Sequence, residues 1–222
     1  MSKLSKSRKG VKRLVKPRVM TWLRWAQQIQ AIAQNGLAYA KDPFDQERYE
    51  QLRKLACEIL AKYTKLDIAV IHDLFAHETG YATPKVDIRA VIFRSGKVLL
   101  VKEKETGRWT LPGGWADIGL SPSEVAIKEV KEETGYEVKP VKVIAVYDKK
   151  CHPHPPSAYY TYKILIQCEL IGGEPSLGIE TDGVGFFAEN SLPSLSEERV
   201  TLSQVNEVFR HLHDPNRPTA FD

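Results

Sequence analysis

Nowhere does the sequence hold an apolar run near the roughly 20 residues that span a bilayer, and its first residues lack the apolar stretch of a secretory signal. Both absences point to a protein of the cytoplasm with no membrane role. Cysteine is scarce. Cys57, Cys151 and Cys168 are odd in number and widely spaced, and read as reduced thiols rather than a disulfide framework. No Cys/His set has zinc spacing. Cys151, His152 and His154 crowd into four residues with no fourth ligand in view. There is no internal repeat, and no helix pair with the basic recognition face of a DNA reader. Acid is missing altogether from residues 1–18, which carry eight Lys/Arg. With +4 on the whole chain, the remainder therefore sums to −4. Such a basic tail suits contact with RNA or an anionic surface, or serves as a disordered, solubilising extension.

What is present suffices for one core plus a small extra unit: 222 residues, 42% hydrophobic. After the tail, three helical patterns are expected. Residues 20–40 place Trp22, Trp25, Ile29, Ile32 and Ala33 at helical spacing, with Gly36 as a point of fraying or kinking. Residues 45–63 repeat the pattern after the turn "DPFD", where Asp42 or Asp45 caps. Residues 66–77 form a shorter helix through Ile68, Ile71, Leu74 and Phe75. This unit, 19–80, is marginal alone and is expected to pack on the main domain or on a second copy, making a homodimer.

From residue 85 to 222 the period changes. "VDIRAVIF" and "KVLLVKE" joined by "RSG" read as a hairpin, followed by short strand "WTLP", a helix near 122–134, strands at 142–149, 159–170 and 183–188, and a closing helix at 201–213. "CHPHPP" is a proline-locked loop. The expected fold is α+β, an α/β/α sandwich with a small N-terminal helical domain.

The helix at 122–134 carries the chemistry. Ser121 is its N-cap, Pro122 its first residue, Glu124 the capping-box partner and Gly135 the left-handed stop. Ala126, Ile127, Val130 and Thr134 are expected to face the core, with Glu129, Glu132 and Glu133 on the neighbouring arc. Like charges so placed repel, and a divalent cation with oxygen ligands, Mg²⁺ or Mn²⁺, removes the conflict. Gly113 and Gly114 let a backbone carbonyl approach the same ion. The helix alone leaves open an ordinary solvated Glu/Lys face balanced by Lys128 and Lys131.

The spacing from Gly114 through Lys128-Glu129-Val130 and Glu132-Glu133 to Gly135-Tyr136 resembles the Nudix box, G-x5-E-x7-R-E-U-x-E-E-x-G-U, where U is a bulky aliphatic residue. Leu120 and Lys128 stand where that motif has Glu and Arg, so the bracing of the loop is expected to differ. The resemblance implies metal-dependent hydrolysis of a nucleoside diphosphate linked to X. It implies that Glu129 and Glu133 are the main metal ligands, that Glu132 is a further one and the Gly113 carbonyl a backbone one, and that Glu180 binds a second metal or orients the attacking water.

The helices at 20–77, "GYATPKVDIRA", "LPGGWADIGLSP" and "DKKCHPHPP" are similar to a Nudix subgroup with an N-terminal helical domain that includes CDP-choline pyrophosphatases. CDP-choline, split into CMP and phosphocholine, is the substrate this implies first. ADP-ribose, an ADP-sugar or RNA ends are alternatives, and a ligand-sensing module is the non-enzyme alternative. Arg89 is a candidate to hold a phosphate. His152, His154 and Trp115 are candidates to line the substrate pocket, and one of Tyr159, Tyr160 and Tyr162 to stack on a base.

Overall fold

A computed structural model describes residues 20–64, 67–76 and 78–222. The basic tail, and with it the expected RNA contact, lies outside these residues, as do the two ends of the expected helix at 66–77.

Three helices open the described chain: α1 (Thr21–Tyr39), α2 (Pro43–Tyr63) and α3 (Ile68–Ala76). Asp42 is the cap of α2, its carboxylate accepting from the N–H groups of Phe44 (2.8 Å) and Asp45 (3.2 Å). Gly36 neither frays nor kinks α1. The helix runs on for three residues, and the missing side chain makes room for the Tyr49 ring, which a Cβ there would meet at 2.4 Å. The core of the unit is Ala26, Cys57, Leu60, Ile71 and Phe75, with Trp22 stacked on Tyr63 at its margin. The expected apolar face of α1 is met in part, by Ala33 and by the half-buried Trp22 and Ile29. Ala26, Gln30, Ala33 and Gln34 are buried, while Trp25 and Ile32 stay 54% and 57% exposed.

The remainder is a twisted sheet between two helices. Its strands are β1 (Lys85–Arg94), β2 (Lys97–Glu103), β3 (Trp109–Thr110), β4 (Tyr136–Asp148), β5 (Thr161–Gly173), β6 (Thr181–Phe187) and β7 (Ala220–Phe221). They run in the order β3-β2-β1-β5-β4-β7, with β6 antiparallel to β2. The expected β1–β2 hairpin is real but short. Ser95 and Gly96 both take positive φ, as a tight two-residue turn requires. Only Phe93↔Val98 and Arg94↔Lys97 pair before β1 departs to run parallel with β5.

Alternation along β1 divides the core. Ile88, Ala90 and Ile92 face Val125, Ala126 and Val130 of helix α4 (Pro122–Thr134). Val91 on the other face joins Leu165, Val205, Val208 and Phe209, the last three from helix α5 (Leu202–His213). The buried stripe of α4 differs from expectation by one position: Val125 is buried and Ile127 is 40% exposed. Strand β4 starts at Tyr136, directly after the helix stop. Register shifts around Glu137, Pro140 and Val143 carry it along β5, so Pro140 does not end it.

Candidate active site

The segment 112–116 runs antiparallel beside the start of β1. Ile88 N–H donates to the Gly114 carbonyl (2.8 Å), Ala90 N–H to Pro112 (2.8 Å) and Ala116 N–H to Val86 (2.8 Å). This wedges the Gly113–Gly114 turn between β1 and α4. Gly113 has φ of +140°, and a Cβ on it would lie 2.0 Å from the Ile88 carbonyl oxygen. At Gly114 a Cβ would meet Glu129 Oε1 at 2.9 Å. Gly113 is thus required by the close approach of backbone, while Gly114 leaves room for the Glu129 carboxylate to lie where it does.

Two of the three expected α4 carboxylates converge here. The Gly113 N–H donates to Glu133 Oε2 at 2.8 Å, and the Glu129 side chain, 16% exposed, lies over Gly114. Burial pushes the Glu133 carboxyl up to about 7, with Glu129 and Glu180 adding to the rise and Arg89 opposing it. Burial raises Glu129 as well. Glu180 is exposed just before β6, its charge felt at Glu133. Glu132 is not gathered in. It is 58% exposed and paired with Lys128 (3.4 Å), which also reaches Asp117 (3.1 Å). The Lys128–Asp117 pair ties α4 to the loop in which Leu120 stands in place of the motif's Glu.

Among the described residues, no three His, Cys, Asp or Glu side chains are gathered closely enough to enclose an ion. The chemistry of the donors nonetheless fits a hard divalent cation. They are oxygens only, on two half-buried carboxylates whose proton affinity is already raised, a mutual strain that a positive ion relieves.

Sequence reasoning missed the buried ionic cluster next to this turn. Asp87, Arg89 and Lys163 are 4%, 3% and 2% exposed. Asp87 is the direct cross-strand partner of Lys163 and accepts from its ammonium. Asp87 also accepts from Arg89 Nη2 (2.8 Å), and Arg89 Nη1 donates to the Leu111 carbonyl (3.1 Å), just ahead of the glycine turn. Burial works against the charge on Asp87, but Arg89 and Lys163 outweigh it and hold the carboxyl low. Burial brings Lys163 down to about 8. Arg89 therefore does not sit open to a substrate phosphate as expected; its guanidinium is enclosed and committed to Asp87 and Leu111. The visible sign was the pair of charges two apart in the otherwise apolar β1, which alternation puts on one face.

Of the other candidates, Trp115 is 43% exposed, edge-on to Tyr159 at 6.2 Å and bridged by backbone to Asp87. His152 packs on Tyr147 (4.2 Å), with Asp222 3.2 Å from its Nε2. His154 Nδ1 lies 2.6 Å from the Glu197 carbonyl oxygen. Burial pulls His154 down to about 4. The unfolded chain, with the ordinary value of 6.5, then takes up a proton that the folded chain refuses. Stability is full above pH 6.5 and falls as pH drops toward 4, by roughly 3 kcal/mol for this group. In urea titrations across that window His154→Phe is expected to fall less steeply than the parent. Equal slopes would contradict the burial argument.

Residues 83–205 match the NUDIX domain family, and residues 20–75 match a family described as UDP-X-like, N-terminal oligomerisation domain. A Bacillus subtilis (strain 168) protein with the provisional name ADP-ribose pyrophosphatase YjhB is 50% identical over 201 residues, covering 90% of this chain and 97% of that one. The crystal structure of a UDP-X diphosphatase is 35% identical, covers 90% of this chain and 98% of its own, and superposes with a TM-score of 0.60. An ADP-ribose pyrophosphatase from Streptococcus suis 89-1591 is 40% identical over 63% of this chain and all of its own, with a TM-score of 0.57. The chain therefore belongs to the Nudix hydrolase family, its Nudix domain preceded by an N-terminal helical domain of the UDP-X-like kind.

Proposed function

We propose that this Nudix hydrolase cleaves the diphosphate of a nucleoside diphosphate linked to a sugar, with ADP-ribose as the leading substrate. The observation that carries the reaction type is the meeting of Glu129 and Glu133 at the Gly113–Gly114 turn. The names of the relatives support ADP-ribose or a UDP-linked compound. None of them supports CDP-choline, which stays in the test only as a comparison.

Glu129 and Glu133 would hold the divalent cation, Mg²⁺ or Mn²⁺, and the Gly113 carbonyl would add a backbone oxygen. Glu132 would join after release from Lys128. A cation so held supplies Lewis acidity at a phosphoryl oxygen and a bound water of lowered pKa. Glu133, fixed by the Gly113 N–H, suits acceptance of a proton from the attacking water. Glu180 would orient that water from the opposite rim. The water oxygen bonds to phosphorus as the anhydride bond breaks, leaving two monophosphates. Trp115, with Tyr159 beside it, would offer a ring to the nucleobase.

The test is product analysis after incubation with Mg²⁺ and ADP-ribose, UDP-glucose, CDP-choline or a short RNA. AMP and ribose 5-phosphate formed only with metal are the expected result. Cleavage of CDP-choline or RNA in preference would overturn the substrate assignment, and no turnover of any would favour a ligand-sensing module.

The helical domain is proposed to join two copies. Trp25, Ile32 and Tyr39 recur every seven residues along one face of α1 and are 54%, 57% and 71% exposed. The family description of residues 20–75 supports this reading. Trp25→Glu with Ile32→Glu is expected to convert dimers into folded monomers in sedimentation velocity. Unchanged dimers would place the contact elsewhere.

A further inference from the structure

A cavity of about 380 Å³, with no residue of α4 in its lining, lies between the first turns of α1 and the loop 148–161, and Tyr159 on its wall reaches Trp115 beside the glycine turn. Met20, Leu23 and Gln27 of α1 form one wall, and Gln27 Nε2 closes onto the Ser157 carbonyl at 3.0 Å. Its volume is within the range of small-molecule sites.

Three polar groups on its wall have unmet needs of different kinds. Lys149 is partly buried and feels the charges of Asp87 and Glu198, yet among the described residues its ammonium is in hydrogen-bond or ion-pair contact with no carboxylate. The contrast is with Lys150 next to it, bound to Asp148 (2.9 Å) and to the Tyr160 hydroxyl. His154 Nδ1 faces a carbonyl, which can only accept, so Nδ1 bears the hydrogen and Nε2 is left as a lone-pair acceptor. That Nε2 is enclosed and unpartnered, and so is Thr161 Oγ1. Enclosed polar atoms without partners are costly and uncommon.

A lone cation calls for an anion, while a neutral acceptor nitrogen and an unpaired hydroxyl call for hydroxyl groups. One ligand class satisfies both: a sugar phosphate. We propose that this cavity is the subsite for the sugar-phosphate half of the substrate, Lys149 facing its phosphate and His154 and Thr161 its hydroxyls, with α1 as the outer wall. The N-terminal domain then takes part in substrate choice as well as assembly. The assignment of a sugar to that half rests on the proposed function; the need for an anion and hydroxyls does not.

Calorimetric titration of the full chain with ribose 5-phosphate, ribose and inorganic phosphate tests this, with thermal melting as a check on folding. Ribose 5-phosphate is expected to bind, and ribose or phosphate alone at least about tenfold more weakly. Lys149→Met is expected to weaken ribose 5-phosphate about tenfold, equivalent to about 1.4 kcal/mol, with recovery in Lys149→Arg. Leu23→Trp, which fills the wall, is expected to abolish binding in a folded protein. Equal affinity in wild type, Lys149→Met and Leu23→Trp would overturn the subsite, as would phosphate alone binding as tightly as ribose 5-phosphate. If ADP-ribose is cleaved while ribose 5-phosphate fails to bind, the subsite falls and the hydrolase reading stands. If ribose 5-phosphate binds in the expected pattern while no member of the substrate panel is cleaved, the subsite stands and the substrate reading falls.

Discussion

Glu133→Gln is expected to lower turnover by on the order of 10³-fold, the scale of losing a positioned proton acceptor or an electrostatic group at phosphorus. The substitution isolates charge from shape. The Gln carbonyl oxygen can still accept from the Gly113 N–H, now 2.8 Å from Glu133 Oε2, so the turn keeps its anchor. What goes is a half-buried carboxylate whose charge is opposed by burial and by Glu129 and Glu180. In chelator at pH 8 the variant is therefore expected to melt no lower than the parent. Activity and melting must separate in this way. Full activity in a folded variant removes Glu133 from the chemistry, and a large drop in melting temperature makes its role structural.

Asp87→Ala is expected to cost about 3–5 kcal/mol in urea unfolding at pH 7, the penalty for breaking a buried ion pair by removing one partner. Asp87 is the only anion in contact with both Arg89 and Lys163 among the described residues, and all three are at most 4% exposed. Its loss strands two enclosed cations at once. Replacing the pair together, Asp87→Leu with Lys163→Met, is expected to recover part of the loss, because matched apolar groups often do as well as a buried pair. A loss below about 1 kcal/mol for the single change would mean that the cluster is not the closed network described. Arg89 also grips the Leu111 carbonyl, so the variant is expected to loosen the glycine turn and raise KM more than stability alone explains.

The features legible in the sequence were those with local causes. Helix α4 was expected at 122–134 and is found at Pro122–Thr134, because Ser121, Glu124 and Gly135 fix both ends by hydrogen bonds within a few residues. Its carboxylates were legible as a group, but not that Glu132 would turn to Lys128 while Glu129 and Glu133 turned inward. That depends on which neighbour each side chain meets. Strand β4 was read six residues short, since Pro140 argues against a strand unless a register shift accommodates it. Strand β7 is two residues long and owes its existence to pairing with Ala145 and Val146. The face of α1 was read correctly at Ala33 and misjudged at Trp25 and Ile32, which stay outside while the small Ala26 is buried in the core with Cys57 and Leu60 of α2. The Asp87–Lys163 contact needed the strand register, which no single segment of sequence carries.

That contact joins residues 76 apart in the chain, in the parallel ladder of β1 with β5. Contacts so distant in sequence reward the chain only after a long loop has been closed, and proteins that rely on them fold slowly. Here the glycine turn docks along β1, and α4 packs against β1 and β4, so the site rests on the same sheet as that contact. A nascent chain that has not yet emerged past β5 carries Gly113, Gly114, Glu129 and Glu133 but lacks Lys163, the partner that Asp87 takes across the sheet.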